Sequence, residues 1–385
     1  MINSKLKQFL VVAGESALLV FIVLAAVMPF SCKITEQGVK ILGGDYTPPV
    51  LNSFKVTGQD SLELEFSEKV SVSGYVVAVA VDELFDSQEH SGTIDLSPAL
   101  ERASGVYGSV PCTVQIDESG CIVKVVLEQE MQVGQEYEFY SQLTDTVGNT
   151  LTIAVPFTGF NSRVPELLIT ELQTESVSSQ NKAEKNAGIY RNEFVELLVL
   201  KGGNLAGLEL LSGYDGDAKK YVFPAIEVQT GQVIVVHMRK RGNGCISEED
   251  DNLAQAFASY TGDEVRDLWT DIESTTLGNK TDIILIKNCA DNRVIDAVMF
   301  RASNIEAWTK TMIEYSQLID ESGIYESGDI ENAFVTDGLT ATKTLVRTDA
   351  GGLQEKVLSG EELDYPVPSS PEVWSVSSEA SPGVL

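Results

Sequence analysis

The sequence is poor in the residues from which metal centres and nucleophilic active sites are usually built, with two histidines and five cysteines among 385 residues. It contains no Cys-x-x-Cys, no His-Glu-x-x-His and no closely spaced histidine pair, so no zinc site of the usual spacing is expected. No glycine-rich phosphate-binding motif stands at a strand-to-helix junction, which argues against a nucleotide-binding fold. His237 and Cys245 could form a dyad, but no third residue is placed to orient it. We therefore expect no metal, no cofactor and no catalytic residue.

Positive charge is also scarce, since 27 lysines and arginines stand against 57 aspartates and glutamates, for a net charge of −30. Such a surface repels phosphate backbones, so nucleic acid is not an expected partner. The tight basic cluster 239–241 is predicted to form a hairpin tip, either solvated or in contact with an anionic glycan or lipid headgroup. Apolar residues make up 43% of the chain. That share is typical of a globular protein, and the length favours two or three domains.

Long hydrophobic runs are limited to one apolar stretch near the start, residues 17–30. As a helix these 14 residues would measure about 21 Å, whereas a membrane span needs about 20 residues to cross a core of about 30 Å. Lys5 and Lys7 precede the run, and Cys32 follows it after Ser31. The segment is therefore typical of a signal peptide, although an uncleaved anchor stays an alternative.

The order of basic residues, apolar run, small residue and cysteine resembles a bacterial lipoprotein signal. Phe30 and Pro29 depart from this pattern, because a small residue and leucine are usual there. The resemblance implies cleavage after residue 31, acylation of the Cys32 thiol and attachment to a membrane of the bacterial cell envelope. In the alternative of an ordinary signal, Cys32 is incidental. We expect a signal peptide over 1–31 and a tether over 32–47, whose flexible reach would be about 20–24 Å.

Residues 48–162 show the alternation of short half-buried strands. In 61–70, Leu62, Leu64 and Phe66 fall on one face and two glutamates on the other. Turn residues at 117–120 and 145–149 separate further apolar runs, a spacing that favours an antiparallel sandwich. The segments 47–50, 65–70 and 143–149 (TPPV, EFSEKV and LTDTVGN) resemble a bacterial Ig-like domain of surface and S-layer proteins. Asp145 and Asn149 are expected to form a turn, with a calcium site as the alternative.

Residues 163–385 predict a second all-β module, without the strand–helix alternation of a parallel sheet. The order of its motifs resembles the lamin-tail domain, which implies a second Ig-like sandwich. Two long insertions, 239–276 and 302–341, depart from that family. The motifs that carry the resemblance are ITEL at 169–172, NEFVEL at 192–197, NLAGL at 204–208, YVFP at 221–224, GQVIV at 231–235, DIIL at 282–285, VIDAV at 294–298 and the end TLVR, VWS and ASPG at 344–347, 373–375 and 380–383.

The insertions are predicted to be helical. In 303–319 the apolar residues recur at spacings of 3 and 4, with Ser303 and Glu306 as a capping box and Gly323 at the end. We expect this stripe to pack on the sandwich rather than to form a partner surface. A second helix is predicted over 247–260, where Ser247 caps an acidic first turn.

If Cys32 is acylated, four cysteines remain, two in each module. This even split favours one disulfide per module in an oxidising compartment, Cys112 with Cys121 and Cys245 with Cys289. The alternative is buried free thiols. A four-residue turn at 117–120 would place Cys112 opposite Val125 rather than opposite Cys121.

Together these features predict an all-β chain of two tandem Ig-like antiparallel sandwiches, the second with helical insertions. The expected function is that of a non-catalytic cell-envelope lipoprotein, a binding, adhesion or scaffolding module whose partner would be an unidentified protein or glycan. The alternative is an accessory subunit of a secreted hydrolase or nuclease, because bacterial lamin-tail domains often accompany such enzymes.

Overall fold

The computed structural model describes residues 34–35, 38–39, 47–79, 109–176, 182–214 and 216–385. The predicted signal peptide 1–31 and Cys32 lie outside these ranges. In the part of the chain that the structure does describe, no helix is both long and apolar enough to span a membrane.

The first sandwich consists of two four-stranded antiparallel sheets, ordered β3-β4-β8-β7 and β10-β9-β5-β6. The prediction of an antiparallel sandwich here is confirmed. A separate pair, β1 and β2, precedes it. The strands are β1 Ile34–Thr35, β2 Gly38–Val39, β3 Leu51–Gly58, β4 Ser61–Phe66, β5 Val70–Val79, β6 Ser109–Val110, β7 Cys112–Ile116, β8 Ile122–Leu127, β9 Glu136–Asp145 and β10 Thr150–Thr158.

The alternation of β4 places its three apolar side chains in the core, where Leu64 is completely buried, while Glu65 faces solvent. The turn between β9 and β10 is built by Asp145, as predicted. Its Oδ1 accepts the backbone N–H of Val147, Gly148 and Asn149 at 2.8, 2.7 and 2.8 Å. These local bonds form the Asx-type turn expected from the sequence.

The second sandwich packs a six-stranded sheet, β18-β17-β12-β11-β22-β23, against a five-stranded sheet, β15-β14-β19-β20-β21, with β13 and β16 as a separate pair. Its strands are β11 Glu166–Gln173, β12 Phe194–Lys201, β13 Gly203–Asn204, β14 Leu208–Ser212, β15 Tyr221–Val222, β16 Glu227–Val228, β17 Val233–His237, β18 Arg266–Trp269, β19 Thr281–Asn288, β20 Val294–Ala302, β21 Phe334–Thr336, β22 Thr344–Arg347 and β23 Trp374–Ser377.

Each long insertion adds one edge strand, β18 or β21, and each of these pairs in parallel with its neighbour. The second sandwich is therefore mixed rather than purely antiparallel. A parallel neighbour requires a long crossover connection, and the insertions supply that length.

Helices cover both outer faces of the second sandwich. Helix α2 (Lys310–Ser322) packs Met312 and Ile319 on the five-stranded sheet, and α3 (Ala350–Leu358) packs Val357 on the six-stranded sheet. The short α1 spans Lys182–Ala187. The apolar stripe predicted to pack on the sandwich does so, whereas α3 was not predicted.

The predicted helix over 303–319 begins too early. Thr309 is the N-cap, because its hydroxyl accepts the N–H of Met312, and Gly323 ends the helix with φ 75°, as predicted. Trp308 lies outside the helix and donates its indole N–H to the carbonyl of Gly328 at 2.9 Å. The first part of the apolar pattern thus packs as an irregular loop.

The predicted helix over 247–260 is wrong, since this segment is an irregular loop. The buried Glu248 carboxylate accepts the backbone N–H of Gln255, Ala256 and Asp267 at 2.9, 3.0 and 2.9 Å. The acidic residue therefore organises a folded loop from inside rather than starting a helix at the surface.

The chain enters and leaves the first sandwich at opposite ends. Thr47 contacts Asn149 at the start of β10, and β10 then runs for about 30 Å before Asn161 donates to the carbonyls of Asn204 and Ala206 in the second sandwich. From that junction β11 runs about 25 Å to Gln173. We call the end of the second sandwich that contains Gln173 the distal end.

Candidate functional site

A cavity of about 340 Å³, here called the distal cavity, opens at the distal end of the second sandwich. Its floor is formed by the ends of three neighbouring strands. Gln173 of β11 pairs with Phe194 of β12, and Phe194 pairs with His237 of β17. The loop residues Ser259 and Tyr260 form one wall, and the segment 380–384 forms another. The cavity therefore combines strand ends with two loops distant in sequence.

His237 is the central polar side chain of this floor and is 1% exposed. Its Nε2 lies 2.7 Å from Asp267 Oδ1 on the neighbouring β18, and Thr261 donates to the other carboxylate oxygen. The ring stacks on Trp269 at 3.7 Å between centroids. Its Nδ1 is buried and has no hydrogen-bond partner among the described residues. The arrangement holds the imidazole rigidly and leaves one nitrogen unsatisfied.

Arg191 supplies positive charge at the cavity wall. Its guanidinium lies over the ring of Tyr260 at 3.8 Å from the centroid, a cation–π contact. Burial raises the pKa of the Tyr260 phenol, so the ring under the guanidinium stays neutral. Nε of Arg191 is buried and has no hydrogen-bond partner within the described ranges.

Two buried glutamates hold the segment 380–384 in place. Glu171 and Glu196 face each other across β11 and β12. Glu171 accepts the backbone N–H of Ser381 at 3.2 Å, and Glu196 accepts that of Gly383 at 2.5 Å. Burial raises the pKa of both carboxyls, that of Glu196 to about 7. The two carboxyls lie beneath the segment and act as its anchor.

A second, polar cavity of about 290 Å³ lies nearby. Two residues of the basic cluster 239–241, Arg239 and Arg241, line it. Arg239 lies 3.4 Å from Glu193, Lys240 lies 2.6 Å from Asp271, and Arg241 lies over the Tyr190 ring at 4.2 Å. The cluster is not the predicted hairpin tip, since β17 continues into the long insertion that returns as the parallel strand β18. Its cations are used within the fold.

The four cysteines that the structure describes are free thiols, so the predicted disulfides do not form. Cys112 lies opposite Leu127, at the far end of the β7–β8 hairpin from Cys121. The turn is longer than the four residues assumed, so the predicted neighbour Val125 is also wrong. A disulfide requires Cα atoms about 4.4–6.8 Å apart, a distance that this register prevents.

The other predicted pair is separated by the length of the second sandwich. The thiol of Cys245 lies near the Arg241 carbonyl at the distal end. Cys289 follows β19 at the opposite end, beside the first sandwich. The formal dyad of His237 with Cys245 is replaced by the pair of His237 with Asp267.

The histidine–aspartate pair had no recognisable signal in the sequence. The two residues are 30 positions apart and meet only because β18 pairs in parallel with β17. Strand β18 lies in the insertion that departs from the lamin-tail pattern, and no strand was predicted there. Nowhere in the described ranges do three or more His, Cys, Asp or Glu residues form a group that could hold a metal ion.

Chemically, the distal cavity has a cation on Arg191 and apolar walls from Phe194 and Pro382, and His237 lies at its floor. Its two serines are bonded elsewhere: Ser259 to Thr261 at 3.0 Å, and Ser381 to Glu171 at 3.2 Å. One cation and apolar walls suit a small anionic ligand.

Several known proteins are similar to this chain. An uncharacterized protein of Treponema pallidum (strain Nichols) is 27% identical over 248 residues, which are 63% of this chain and 58% of that protein. The match thus spans less than two thirds of that relative's length.

Solved structures give weaker likenesses. The N-terminal part of the bacterial S-layer protein SbsC has a TM-score of 0.23 and 19% identity, covering 49% of this chain and 40% of that one. A DUF4876 family protein from Bacteroides thetaiotaomicron has a TM-score of 0.27 and 11% identity, covering 80% and 89%. Both TM-scores are too low to carry a conclusion about this chain.

A family model named TP_1001_2nd, described as "protein second domain", matches residues 165–376. This range runs from β11 into β23 and contains nearly all of the second sandwich. It is more than half of the chain. The chain therefore belongs to the TP_1001 second-domain family.

Proposed function

We propose that the chain is a non-catalytic lipoprotein of the bacterial cell envelope that displays a binding cavity away from the membrane. In this proposal an acyl group on Cys32 holds the chain on the membrane, and residues 32–47 form a tether. The Ig-like module 48–162 acts as a spacer, and the lamin-tail-like module 163–385 binds a partner.

The observation that carries this proposal is the end-to-end path of the chain through the two sandwiches. Thr47 lies at one end of the first sandwich and the junction at Asn161 lies at the other, about 30 Å along β10. The distal cavity then lies a further strand length away, at Gln173. In this proposal the cavity lies at the end of the two modules that is farther from the tether.

The junction between the sandwiches is built to hold that arrangement. Asn161 of the first module donates to the carbonyls of Asn204 and Ala206 in the second at 2.7 and 2.9 Å. Just after it, Arg163 donates to both carboxylate oxygens of Glu227 at 2.8 and 2.7 Å within the second module. Bidentate pairs of this kind restrict orientation as well as distance. These bonds hold the segment 161–163 that joins the two modules against the second one.

The bonding inside the distal cavity supports binding rather than catalysis. A hydrolytic imidazole activates a nucleophile bonded to it. Here Asp267 and Trp269 hold His237, whereas Ser259 and Ser381 bond to other groups. The polar side chains thus stabilise the cavity walls.

The test of the anchored display is fractionation of cells that express Cys32→Ser in place of the native chain. We expect the native protein in the membrane fraction, soluble in detergent and with the added mass of acyl groups. We expect the variant as an unacylated, uncleaved precursor. A variant that fractionates and matures like the native chain would overturn the proposal. Ser31→Ala, which leaves a small residue before Cys32, is the matched control and should be acylated normally.

A further inference from the structure

We propose that the segment 380–384 is a pH-sensitive wall of the distal cavity, which closes over Glu171 and Glu196 at acidic pH and opens as their carboxyls ionise. This inference rests on the proposed binding function and names how access to the cavity is regulated. It follows from the turn that the segment forms, from the position of the two carboxyls beneath it and from the groups that surround them.

The segment 380–384 contains a turn that directs backbone donors at the two carboxyls. Val384 donates its N–H to the carbonyl of Ser381 at 2.9 Å. Pro382 and Gly383 occupy the central positions, and the φ of 90° at the glycine is typical of a type II turn. The N–H groups of Ser381 and Gly383 reach the two carboxyls below. The segment is therefore hydrogen-bonded to the sheet through these carboxyls.

The two carboxyls are placed where ionisation of both is unfavourable. Glu171 and Glu196 are paired directly across β11 and β12, and they are 2% and 1% exposed. Two like charges directly opposite each other destabilise a sheet, and burial disfavours the charged form of each. Burial accordingly raises the pKa of both carboxyls, that of Glu196 to about 7. The closed segment therefore favours the protonated pair.

The groups around the pair, within the described ranges, are otherwise uncharged. The Thr170 hydroxyl donates to the carboxyl on β12 at 2.7 Å, and the Thr344 hydroxyl of β22 bonds to the carboxyl on β11. On the far side of β12, the paired residue of β17 is Val235. Beyond it, Asp267 of β18 is bonded to His237 rather than to the pair. The titratable group that faces each carboxyl is therefore the other carboxyl.

Opening of the segment hydrates both carboxyls and removes one wall of the distal cavity, which is lined by Ala380, Ser381, Pro382 and Val384. A hydrated glutamate has its ordinary pKa of about 4.5. Between the two pKa values, the open state therefore binds fewer protons than the closed state. The stability of the closed state is fully present below the ordinary pKa, and it is lost as the pH rises to about 7.

The test is hydrogen exchange of the Ser381 and Gly383 amides in the full chain between pH 5 and pH 8, corrected for the intrinsic exchange rate at each pH. A pKa of Glu196 that is about 4.5 in the open state and about 7 in the closed state predicts that protection falls about fifty- to a hundredfold over this range. Protection that stays constant or increases would overturn the proposal.

Amide variants separate ionisation from hydrogen bonding. Glu196→Gln keeps an acceptor oxygen for the N–H of Gly383 but cannot ionise. It should reduce the fall in protection to the part that Glu171 contributes. Glu171→Gln combined with Glu196→Gln should leave protection constant to within about twofold over the same pH range. A double variant that loses protection with rising pH as the native chain does would show that the carboxyls do not control the segment.

The matched control is Asp282→Asn. Asp282 is also a buried acid, with a pKa raised to about 7, but it accepts hydrogen bonds from Ser212 and Gly278 rather than from the segment. This variant should retain the fall in protection at the segment. Loss of the fall here as well would mean that exchange reports unfolding of the whole second sandwich, which would overturn the proposal. The fractionation of Cys32→Ser still tests the display function separately.

Discussion

The two sandwiches of this chain use the same layered architecture but bury their strands differently. In the first, β4 alternates between core and solvent, as Leu64 and Glu65 show. In the second, β12 is buried on both faces over seven of its eight residues, because α3 and the segment 380–384 cover its outer side. The first sandwich is therefore stabilised mainly by its own two sheets. The second depends on helices and loops that come from distant parts of the chain.

This difference sets where each sandwich is most sensitive to substitution. An outward-facing side chain of the first sandwich meets water, so its replacement changes little. An outward-facing side chain of the second meets α3 or a loop. Buried acids such as Glu196, Glu248 and Asp282 occupy covered regions of the second sandwich, and each accepts hydrogen bonds from a loop or strand end.

The largest expected effect compares two outward-facing residues. Leu198 on β12 packs under α3, so Leu198→Ala should lower the free energy of unfolding by about 2–5 kcal/mol. Glu65→Ala on β4 should change it by less than about 0.5 kcal/mol. Urea unfolding of both variants measures the difference. Similar small losses in both would mean that α3 does not stabilise the outer face.

Opposite responses to pH should also separate the sandwiches. In the second, burial raises the pKa of Asp282 and of Glu196 to about 7, so the folded state binds protons that the unfolded state has released. The stability from this difference is fully present below the unfolded pKa and is lost as pH rises from about 4 to 7. Each unit of pKa difference corresponds to about 1.4 kcal/mol.

In the first sandwich, backbone and side-chain hydrogen bonds lower the pKa of Asp117 and Asp145. Their contribution is present above the unfolded pKa and is lost as pH falls through the folded one. Thermal unfolding followed at pH 5 and pH 7 should therefore show the second sandwich more stable at pH 5, with Asp282→Asn reducing that gain. A second sandwich less stable at pH 5 than at pH 7 would contradict the raised pKa values.

An intermediate effect is expected at the loop that Glu248 organises. Glu248→Ala removes the acceptor of three backbone N–H groups, which should cost about 1–3 kcal/mol. Hydrogen exchange should increase at Gln255 and Ala256 before the rest of the second sandwich is affected. Glu249→Ala, next to it and exposed, is the control. Unchanged protection at both amides would rule out this role for the carboxylate.

The smallest effect is expected at the surface of the first sandwich. Lys124 lies 3.7 Å from Glu63 on the neighbouring strand, and both side chains are substantially exposed. Exposed pairs of this kind contribute about 0–1 kcal/mol. Lys124→Ala should therefore shift the urea midpoint only slightly, and less at high salt. A loss comparable to that of Leu198→Ala would show that the outer face of this sheet is not simply solvated.

The same contrast explains what could be predicted from the sequence. Alternation in β4, the Asp145 turn and the Gly323 cap are local patterns, and the structure has all three. The all-β class and most central strands of the second sandwich were also predictable, since their apolar runs are long. Local periodicity located the apolar stripe of α2 but not its start.

What could not be predicted depends on contacts between distant segments. Glu248 was predicted to lie in the first turn of a helix, but it is buried in a loop. Its carboxylate there accepts the backbone N–H of Asp267, 19 residues away. The distal cavity needs the parallel strand β18, whose four residues show no distinctive pattern. Of the cavity residues, His237 alone was considered for chemistry from the sequence, in a formal dyad with Cys245 that lacked an orienting residue, whereas its partner in the structure is Asp267.

The most direct test of the display account is the intact mass of the protein extracted from its native membranes, with and without alkylation under non-reducing conditions. The account predicts a chain that begins at Cys32 with added acyl mass, and alkylation of all four remaining cysteines without reduction once the chain is unfolded. A chain that begins elsewhere and carries no lipid would contradict the anchored display of the distal cavity.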